Sequence, residues 1–236
     1  MAYSGHAVLA VVPARGGSKG IPRKNLAKVG GKSLIERAAL VVKALPWLDA
    51  AVLSTDDDEI AAEGRRCGLA VPFRRPAALA ADNAGALEMW RHAWLECERH
   101  YGRKFELSVL LEPTSPLRQA QDVEKTLAAL VSGNHAAAAT VSRTPAHYAA
   151  EKLLTLKSGV IAFALAAGAQ IRQRQQLPAY YHRNGACYAV RRATLVDEGT
   201  IIERDCAAVV IERPLVNVDE PFDLELAEHL ARRDAL

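Results

Sequence analysis

The sequence predicts an α/β fold with a mostly parallel sheet. Short apolar runs alternate with segments that carry apolar residues at helical spacing, as this fold class requires. The runs lack the polar alternation of half-exposed strands, which is typical of parallel strands buried on both faces. The 236 residues, half of them hydrophobic, suffice for one domain with a substantial core.

The first unit of this alternation is a strand over residues 7–13, followed by a Gly-rich loop and a helix over residues 33–44 with Ser33 as its N-cap. The later elements repeat the pattern: a strand at 50–54, helices at 57–67 and 84–101, a strand at 107–111, a helix at 120–131, strands at 136–142, 186–190 and 207–211, and a helix at 221–233.

The alternation is interrupted after residue 143. The stretch that follows holds Pro145, a short apolar run at 160–166 and a polar tract at 170–176. A structureless segment of this length is unusual inside a compact domain. We therefore predict that residues 1–236 form a single domain in which about residues 143–183, called the lobe below, are an inserted lobe or subunit-contact element.

The charges of the chain are unevenly distributed. The net charge of +3 is small for this length, which argues against a protein that binds nucleic acid or a membrane over its whole surface. No Asp or Glu precedes residue 36, while basic residues crowd the stretch after the first strand: Arg15, Lys19, Arg23, Lys24, Lys28 and Lys32. We expect this end of the protein to face an anionic partner.

The four cysteines are far apart and form neither a CxxC pair nor a cluster with histidine at zinc-site spacing. We predict that they are reduced and mostly buried. The chain starts without a basic flank, and the apolar run at residues 7–14 is too short for a signal core or a membrane span. The cytoplasm is therefore the expected compartment.

The loop at residues 14–20 is the strongest local signal for a phosphate site. Its glycines let backbone amides approach phosphate oxygens, while Arg15 and Lys19 supply positive charge. It is not a P-loop, because Leu26 stands where that motif needs a glycine, and no GxGxxG fingerprint is present. A basic surface turn without a ligand is the alternative.

Pro13-Ala-Arg-Gly-Gly-Ser-Lys-Gly20 and Lys24-Asn25-Leu26 resemble the nucleotide-binding signature of the acylneuraminate cytidylyltransferases, the CMP-sialic acid synthetase family. Further stretches match that family in order along nearly the whole chain: Ser54-Thr55-Asp56, Arg75-Pro76 with Leu79 and Asp82, Pro113-Thr-Ser-Pro-Leu-Arg118, Arg174-Gln-Gln-Leu-Pro178, Asn184-Gly-Ala186 with Tyr188, and Asn217-Val-Asp219 with Asp223-Leu224. The resemblance implies a three-layer α/β/α, Rossmann-like nucleotide-diphospho-sugar transferase fold that binds a nucleoside triphosphate at the carboxyl ends of its strands.

The resemblance also implies an activity, in which an acidic 2-keto sugar is activated with CTP and pyrophosphate is released. Arg15 and Lys24 would hold the triphosphate and, with Asp219, carry catalysis. The nucleotide-binding residues that it implies are Ala14, Gly16, Ser18, Lys19, Asn25, Arg75 and Ala84. Ala86 stands where the family has a serine.

A reaction of this kind depends on alignment and on neutralising phosphate charge, and the resemblance implies Mg²⁺ as the cofactor. Mg²⁺ prefers oxygen ligands and needs only one or two protein carboxylates. Asp219 is the first candidate, with Asn217 beside it where the family often has a second aspartate. Capping the final helix is the alternative role for Asp219.

The sugar-binding residues implied by the resemblance are Glu112, Thr114, Ser115, Arg174, Gln175, His182, Arg183 and Asn184. Glu112 replaces a glutamine of the sialic acid enzymes, so a carboxylate that only accepts stands where an amide also donates. His182 stands where those enzymes have an arginine. Either a protonated His182 or the neighbouring Arg183 would bind the acid group of the sugar.

The lobe resembles the dimerisation element of the family, which implies a homodimer in which Arg174 and Gln175 reach the partner's sugar pocket. The expected acceptor is a nonulosonic acid such as N-acetylneuraminic acid. Two alternatives stay open. One is a different acidic acceptor, an octulosonic acid or a phosphonate, and the other is a non-catalytic nucleotide-binding homologue.

Overall fold

A computed structural model of the chain describes residues 3–201 and 205–233. The strands, in chain order, are β1 (Val8–Pro13), β2 (Lys28–Val29), β3 (Lys32–Ser33), β4 (Ala50–Ser54), β5 (Leu107–Leu110), β6 (Ala137–Arg143), β7 (Leu154–Lys157), β8 (Val160–Phe163), β9 (Tyr181–Arg191) and β10 (Cys206–Val210). The α-helices are α1 (Leu34–Lys43), α2 (Asp58–Arg66), α3 (Ala86–Tyr101), α4 (Ala120–Ser132) and α5 (Pro221–Arg233).

The central sheet has six strands in the order β10-β6-β9-β5-β1-β4. β1 pairs in parallel with β4 and β5, and β10 pairs in parallel with β6. β9 runs antiparallel to both of its neighbours, β5 and β6. The predicted mostly parallel sheet is therefore confirmed. β9 is reversed because the chain leaves the sheet at the end of β6 and returns to the same edge through the lobe, which needs no crossover.

The two faces of the sheet are covered by different helices, which makes three layers. Along β1, Val8, Ala10 and Val12 pack in the cluster that contains the apolar sides of α1, α2 and α4. The alternate residues Leu9 and Val11 pack with α3 on the other face. Burial of both faces explains why β1 is an uninterrupted apolar run.

Two predicted boundaries differ from the structure by two residues or more, and the others agree within one residue. α3 begins at Ala86 with Gly85 as its N-cap, rather than at residue 84. β9 begins at Tyr181, five residues before the predicted strand, because its exposed and polar first residues pair with the end of β6. The extension carries no apolar pattern, since those residues have little core to face.

The lobe contains a hairpin that the sequence did not predict. β7 and β8 pair with each other outside the central sheet, and their side chains are exposed on both strands. Short 3-10 turns flank the hairpin on both sides. In the part of the chain that the structure describes, no helix is long and apolar enough to cross a membrane.

The cysteines are free thiols, as predicted. Cys67, Cys97 and Cys187 are buried, and Cys206 is half-buried. Burial raises the pKa of the Cys97 and Cys187 thiols to about 12, so neither is an activated nucleophile at neutral pH.

Candidate active site

A cleft opens at the carboxyl ends of β1 and β5, the position where open α/β sheets bind ligands. Four segments supply its walls: the loop after β1, the 3-10 turn at Lys24–Leu26, the segment from Arg75 to the start of α3, and the segment after β5. The predicted site residues that line this cleft are Arg15, Ser18, Lys24, Asn25, Arg75, Ala84, Glu112 and Thr114.

The loop after β1 is held in place by backbone contacts. The Ala14 amide donates to the Ser54 carbonyl oxygen at 3.0 Å, and the Gly16 amide donates to Asp56 Oδ1 at 3.0 Å. Asn25 Nδ2 donates to the Arg15 carbonyl oxygen at 3.0 Å, which ties the loop to the following 3-10 turn. The buried Asn25 therefore positions the phosphate loop, in addition to lining the cleft.

The loop also packs directly against the segment that holds Asp219. A Cβ atom built at Gly20 would overlap the Asp219 carbonyl oxygen, so only glycine fits there without a shift. Lys24 Nζ lies 2.8 Å from Asp219 Oδ1. The Lys24 side chain is 15% exposed and that of Asp219 is 64% exposed, so the ammonium lies within the cleft wall and the carboxylate faces outwards.

Asp82 also lines the cleft, although it was not among the predicted site residues. Its Oδ1 lies 3.0 Å from Arg15 Nη1, and its Oδ2 lies 2.7 Å from Lys19 Nζ. The hydrogen bond from Lys19, with the charges of both cations, lowers the pKa of this exposed carboxyl. The sequence did contain a signal for this residue. The first 35 residues hold no Asp or Glu, so their basic side chains must pair with acids from elsewhere in the chain.

Arg75 supplies a buried cation on the other wall. Its Nε donates to Ser54 Oγ at 3.1 Å, and its Nη2 donates to the Ser54 carbonyl oxygen. Burial lowers its pKa to about 10, so the guanidinium is still charged at neutral pH. These contacts to the end of β4 hold the guanidinium beside the cleft and keep it from being fully solvated.

The side chain of Asp219 contacts Lys24, a residue of the cleft wall, and not the amides at the start of α5. Asn217 Nδ2 lies 3.3 Å from Asp219 Oδ2, and Lys24 contacts the other oxygen. Asp223 Oδ2 instead accepts from the Asp219 and Glu220 amides at 2.9 and 2.8 Å, so it caps the start of α5. The capping bonds considered for Asp219 are thus made by Asp223, the third residue of α5, whose side chain reaches back to the amides that precede the helix.

The one solvent-facing carboxylate of Asp219 fits a cation that also binds substrate phosphates. Within the described residues, the one cluster of three potential metal ligands lies elsewhere, at Glu36, Glu63 and Cys67. Arg66 donates to both of its carboxylates, at 3.0 and 2.7 Å, so their charge is already compensated. Asp219 with Asn217 therefore stays the candidate.

The segment after β5 lines the cleft with Glu112, Pro113 and Thr114. Glu112 follows the strand, and Thr114 accepts a hydrogen bond at its carbonyl oxygen from the Val218 amide at 2.7 Å. Arg118 is buried beneath and donates to the carbonyl oxygens of Glu112 and Ala186. Burial raises the pKa of the Glu112 carboxyl. Arg118 was part of a predicted motif, and the structure gives it this structural role.

Ser115 and Asn184 lie below the cleft surface and bind each other. Ser115 Oγ donates to the Asn184 carbonyl oxygen at 3.0 Å, and both residues are buried. Asn184 Oδ1 accepts from Thr140 Oγ1 and from the Ala186 amide, and its Nδ2 donates to Ser142 Oγ. These bonds leave at most one amide N–H for a sugar. Both side chains therefore shape the pocket more than they bind in it.

The structure distinguishes the two basic residues proposed for the acid group of the sugar. His182 Nδ1 lies 3.1 Å from Thr144 Oγ1, at the base of the lobe. Burial raises the pKa of both Glu112 and Tyr188, and the charge of Arg183, on the opposite face of β9 from His182, acts against that rise in both. Of the two basic residues, Arg183 is thus the one whose charge acts on Glu112.

Arg174 and Gln175 do not join the cleft of their own chain. They lie in the 3-10 turn Arg174–Gln176 of the lobe. Arg174 lines a separate hollow with Arg143 and Tyr180. Arg174 and Gln175, like His182 at the base of the lobe, are therefore not among the residues that line the cleft.

Comparison with known proteins agrees with this geometry. The model of the cytidylyltransferase family matches residues 9–230. The chain is 27% identical to post-translational flagellin modification protein B of Campylobacter coli, with 97% of each chain covered. It is 28% identical to the CMP-N,N'-diacetyllegionaminic acid synthase of Campylobacter jejuni, with 94% of each covered.

A solved structure shares the fold. The CMP:2-keto-3-deoxy-manno-octonic acid synthetase complexed with CTP matches with a TM-score of 0.70 and 17% identity, over 97% of this chain and 99% of that one. This likeness confirms the predicted fold class. The motifs, the cleft and the family match lead to one conclusion: the chain belongs to the cytidylyltransferase family and is a nucleotidyltransferase of the CMP-sialic acid synthetase type.

Proposed function

We propose that this enzyme transfers the cytidylyl group of CTP to an acidic 2-keto sugar of the nonulosonic acid type, such as N-acetylneuraminic acid. The observation that carries the proposal is the cleft itself. Arg15, Lys24 and Arg75 bring three cations to its walls, and Glu112 lines the same cleft from the segment after β5. The name of the Campylobacter jejuni relative supports an acceptor of this class.

The reaction that fits this cleft is a single displacement at phosphorus. The anomeric hydroxyl oxygen of the sugar forms a bond to the α-phosphorus of CTP, and the bond from that phosphorus to the bridging oxygen breaks. Pyrophosphate leaves with the bonding electrons, and the hydroxyl proton passes to solvent. Arg15, Lys19 and Lys24 would align the triphosphate and stabilise the charge on its oxygens.

Asp219, with Asn217 beside it, is the proposed holder of a divalent cation such as Mg²⁺. When bound, the cation would neutralise phosphate charge in addition to the basic residues. Lys24 keeps the Asp219 carboxylate oriented at the cleft edge through the 2.8 Å contact. Arg183 is the proposed partner of the sugar carboxylate, since His182 contacts Thr144 instead.

The proposed enzyme is a homodimer that pairs through the lobe. The hairpin carries exposed apolar side chains, with Leu156 73% and Val160 71% exposed, which a monomer rarely leaves uncovered together. A second copy on this surface would bring Arg174 and Gln175 towards the partner's cleft. Light scattering on the chain and on Leu156→Asp tests it: a dimer that becomes a monomer supports the arrangement, and a monomeric parent chain contradicts it.

A panel of acceptors tests the proposed function. Pyrophosphate release from CTP and Mg²⁺ is measured with N-acetylneuraminic acid, N,N'-diacetyllegionaminic acid and an octulosonic acid. Turnover with a nonulosonic acid supports the proposal. Turnover with the octulosonic acid alone would identify that sugar as the acceptor. This alternative stays open because Glu112 differs from the glutamine of the sialic acid enzymes. The reduced cysteines fit the cytoplasm as the compartment of the reaction.

A further inference from the structure

Asp56 contacts the phosphate loop from outside the cleft. It follows β4, and its Oδ1 accepts a hydrogen bond from the Gly16 amide at 3.0 Å. It is not among the residues that line the cleft, and lines a separate hollow with Arg65 and Arg74 instead. A nucleotide in the cleft would therefore not touch Asp56, although the loop that holds its phosphates would.

The bond to Asp56 divides the phosphate loop into a held part and a free part. The Gly16 amide is occupied by the carboxylate. Within the described residues, the amides of residues 17–20 have no hydrogen-bond acceptor. Gly17 and Ser18 line the cleft, and Gly16 does not. The amides that remain available to phosphate oxygens thus begin directly after the one that Asp56 holds.

The turn that carries Asp56 is itself fixed by the other wall of the cleft. The Arg75 amide donates to the Thr55 carbonyl oxygen at 2.8 Å. Arg74 Nη2 donates to the Asp56 carbonyl oxygen at 2.5 Å. Because these bonds hold the backbone on both sides of its Cα atom, the Asp56 carboxylate has a defined position from which to hold the loop.

We infer that Asp56 is a positioning residue for CTP, whose carboxylate fixes the phosphate loop through the Gly16 amide so that the amides after Gly16 are ordered before the triphosphate binds. The inference rests on the proposed function and adds a residue that acts through the loop. Ordering the loop in the free enzyme favours binding, because the conformational entropy is then not lost on association.

A role as counterion is the alternative. Burial lowers the pKa of Arg75, and the charge of Asp56 acts against this while that of Arg15 acts with it. If only this charge mattered, Asp56→Asn and Asp56→Ala would change CTP binding alike. If the hydrogen bond matters, the two variants differ, since the asparagine side chain keeps an oxygen that accepts from the Gly16 amide.

The test is calorimetry of CTP binding in the presence of Mg²⁺ and without an acceptor. We expect Asp56→Ala to weaken binding by about tenfold, the cost of ordering about one further residue of the loop. Asp56→Asn should stay within about threefold of the wild type. Asp58→Asn is the matched control, because it removes an exposed carboxylate that pairs with Arg74 and not with the loop, and it should stay within about twofold.

Two further measurements separate positioning from a general loss of stability. In steady-state kinetics, Asp56→Ala should raise KM for CTP by about tenfold and leave KM for the acceptor within about twofold. In hydrogen exchange, the peptide that contains residues 14–20 should exchange faster in Asp56→Ala than in Asp56→Asn, while the peptide that contains β5 exchanges alike in both.

Three results would overturn the inference. They are an equal change of CTP affinity in Asp56→Ala and Asp56→Asn, an alanine variant that binds CTP as the wild type does, or an alanine variant whose KM for the acceptor rises as much as that for CTP. A wild-type enzyme that binds no CTP is a different outcome, because it refutes the proposed function as well.

Discussion

Lys24 and Asp219 are 195 positions apart in the chain, yet Lys24 Nζ lies 2.8 Å from Asp219 Oδ1. The contact joins the turn after the phosphate loop to the segment just before α5. Gly20 fits against the Asp219 carbonyl oxygen and brings the same two segments together. Two proposed functions, holding the triphosphate and holding a cation, thus share one ion pair.

Replacing Lys24 tests its proposed role at the triphosphate. We expect Lys24→Ala to lower kcat/KM for CTP by about a hundredfold, comparable to the loss of one charge-stabilising group. Lys28→Ala is the matched control, because Lys28 is exposed and does not line the cleft. Steady-state pyrophosphate release gives the rates, and thermal melts exclude unfolding. Equal values of kcat/KM for the two variants would show that Lys24 does not contribute to catalysis.

Replacing Asp219 tests the proposed cation site. Asp219→Asn keeps the size of the side chain and removes its charge, and we expect turnover to fall by about a hundredfold or more. The Mg²⁺ concentration for half-maximal rate should rise at the same time. Glu220→Gln, at the exposed next position, serves as the control. A variant whose Mg²⁺ response matched the wild type would place the cation elsewhere.

Replacing Asp82 tests whether it competes with the nucleotide. In the free enzyme its carboxylate occupies Arg15 and Lys19, two residues proposed to bind phosphate. Because both exposed ion pairs must break before phosphate can bind to these cations, Asp82→Asn should bind CTP more tightly, by about two- to tenfold. Titration calorimetry at low salt measures this, and the gain should shrink at high salt. Weaker binding would mean that Asp82 helps to retain the nucleotide.

The raised pKa of Glu112 predicts a pH-dependent difference in stability. Because its carboxyl holds a proton more tightly when folded than when unfolded, the folded state loses stability as pH rises through the folded pKa. Glu112→Gln should therefore be more stable than wild type at neutral pH, with a higher Tm. The difference should vanish below the ordinary glutamate pKa. Melting curves over this pH range check it, and a variant less stable at neutral pH would contradict it.

The sheet was predictable from local patterns wherever both faces are covered. β1, β4 and β5 are short apolar strands, and their apolar residues made them visible. The first residues of β9 and the hairpin of the lobe were missed, because exposed strands carry no such pattern. The predicted start of α3 was two residues too early. Ala84 and Gly85 belong to the segment that lines the cleft, and Gly85 as N-cap offers no side-chain cap that would mark the helix start in the sequence.

The nucleotide loop was predictable from its own residues, but its partners were not. The spacing of these residues in the sequence does not reveal that Asp82 pairs with Arg15. Nor does it reveal that Asn184 is hydrogen-bonded to Thr140 and Ser142 beneath the pocket. Such contacts depend on how distant segments pack, which only the resemblance or the structure supplies. The choice between His182 and Arg183 likewise depended on the direction of each side chain along β9.

The central claim, transfer of the cytidylyl group to an acidic sugar, is tested most directly with CTP radiolabelled at the α-phosphorus. The enzyme, Mg²⁺ and a nonulosonic acid should convert the label into a CMP-sugar, with unlabelled pyrophosphate formed in equal amount and only when the sugar is present. Label that stays in CTP with every nonulosonic acid, or that appears in free phosphate or CMP without a sugar product, would contradict the account.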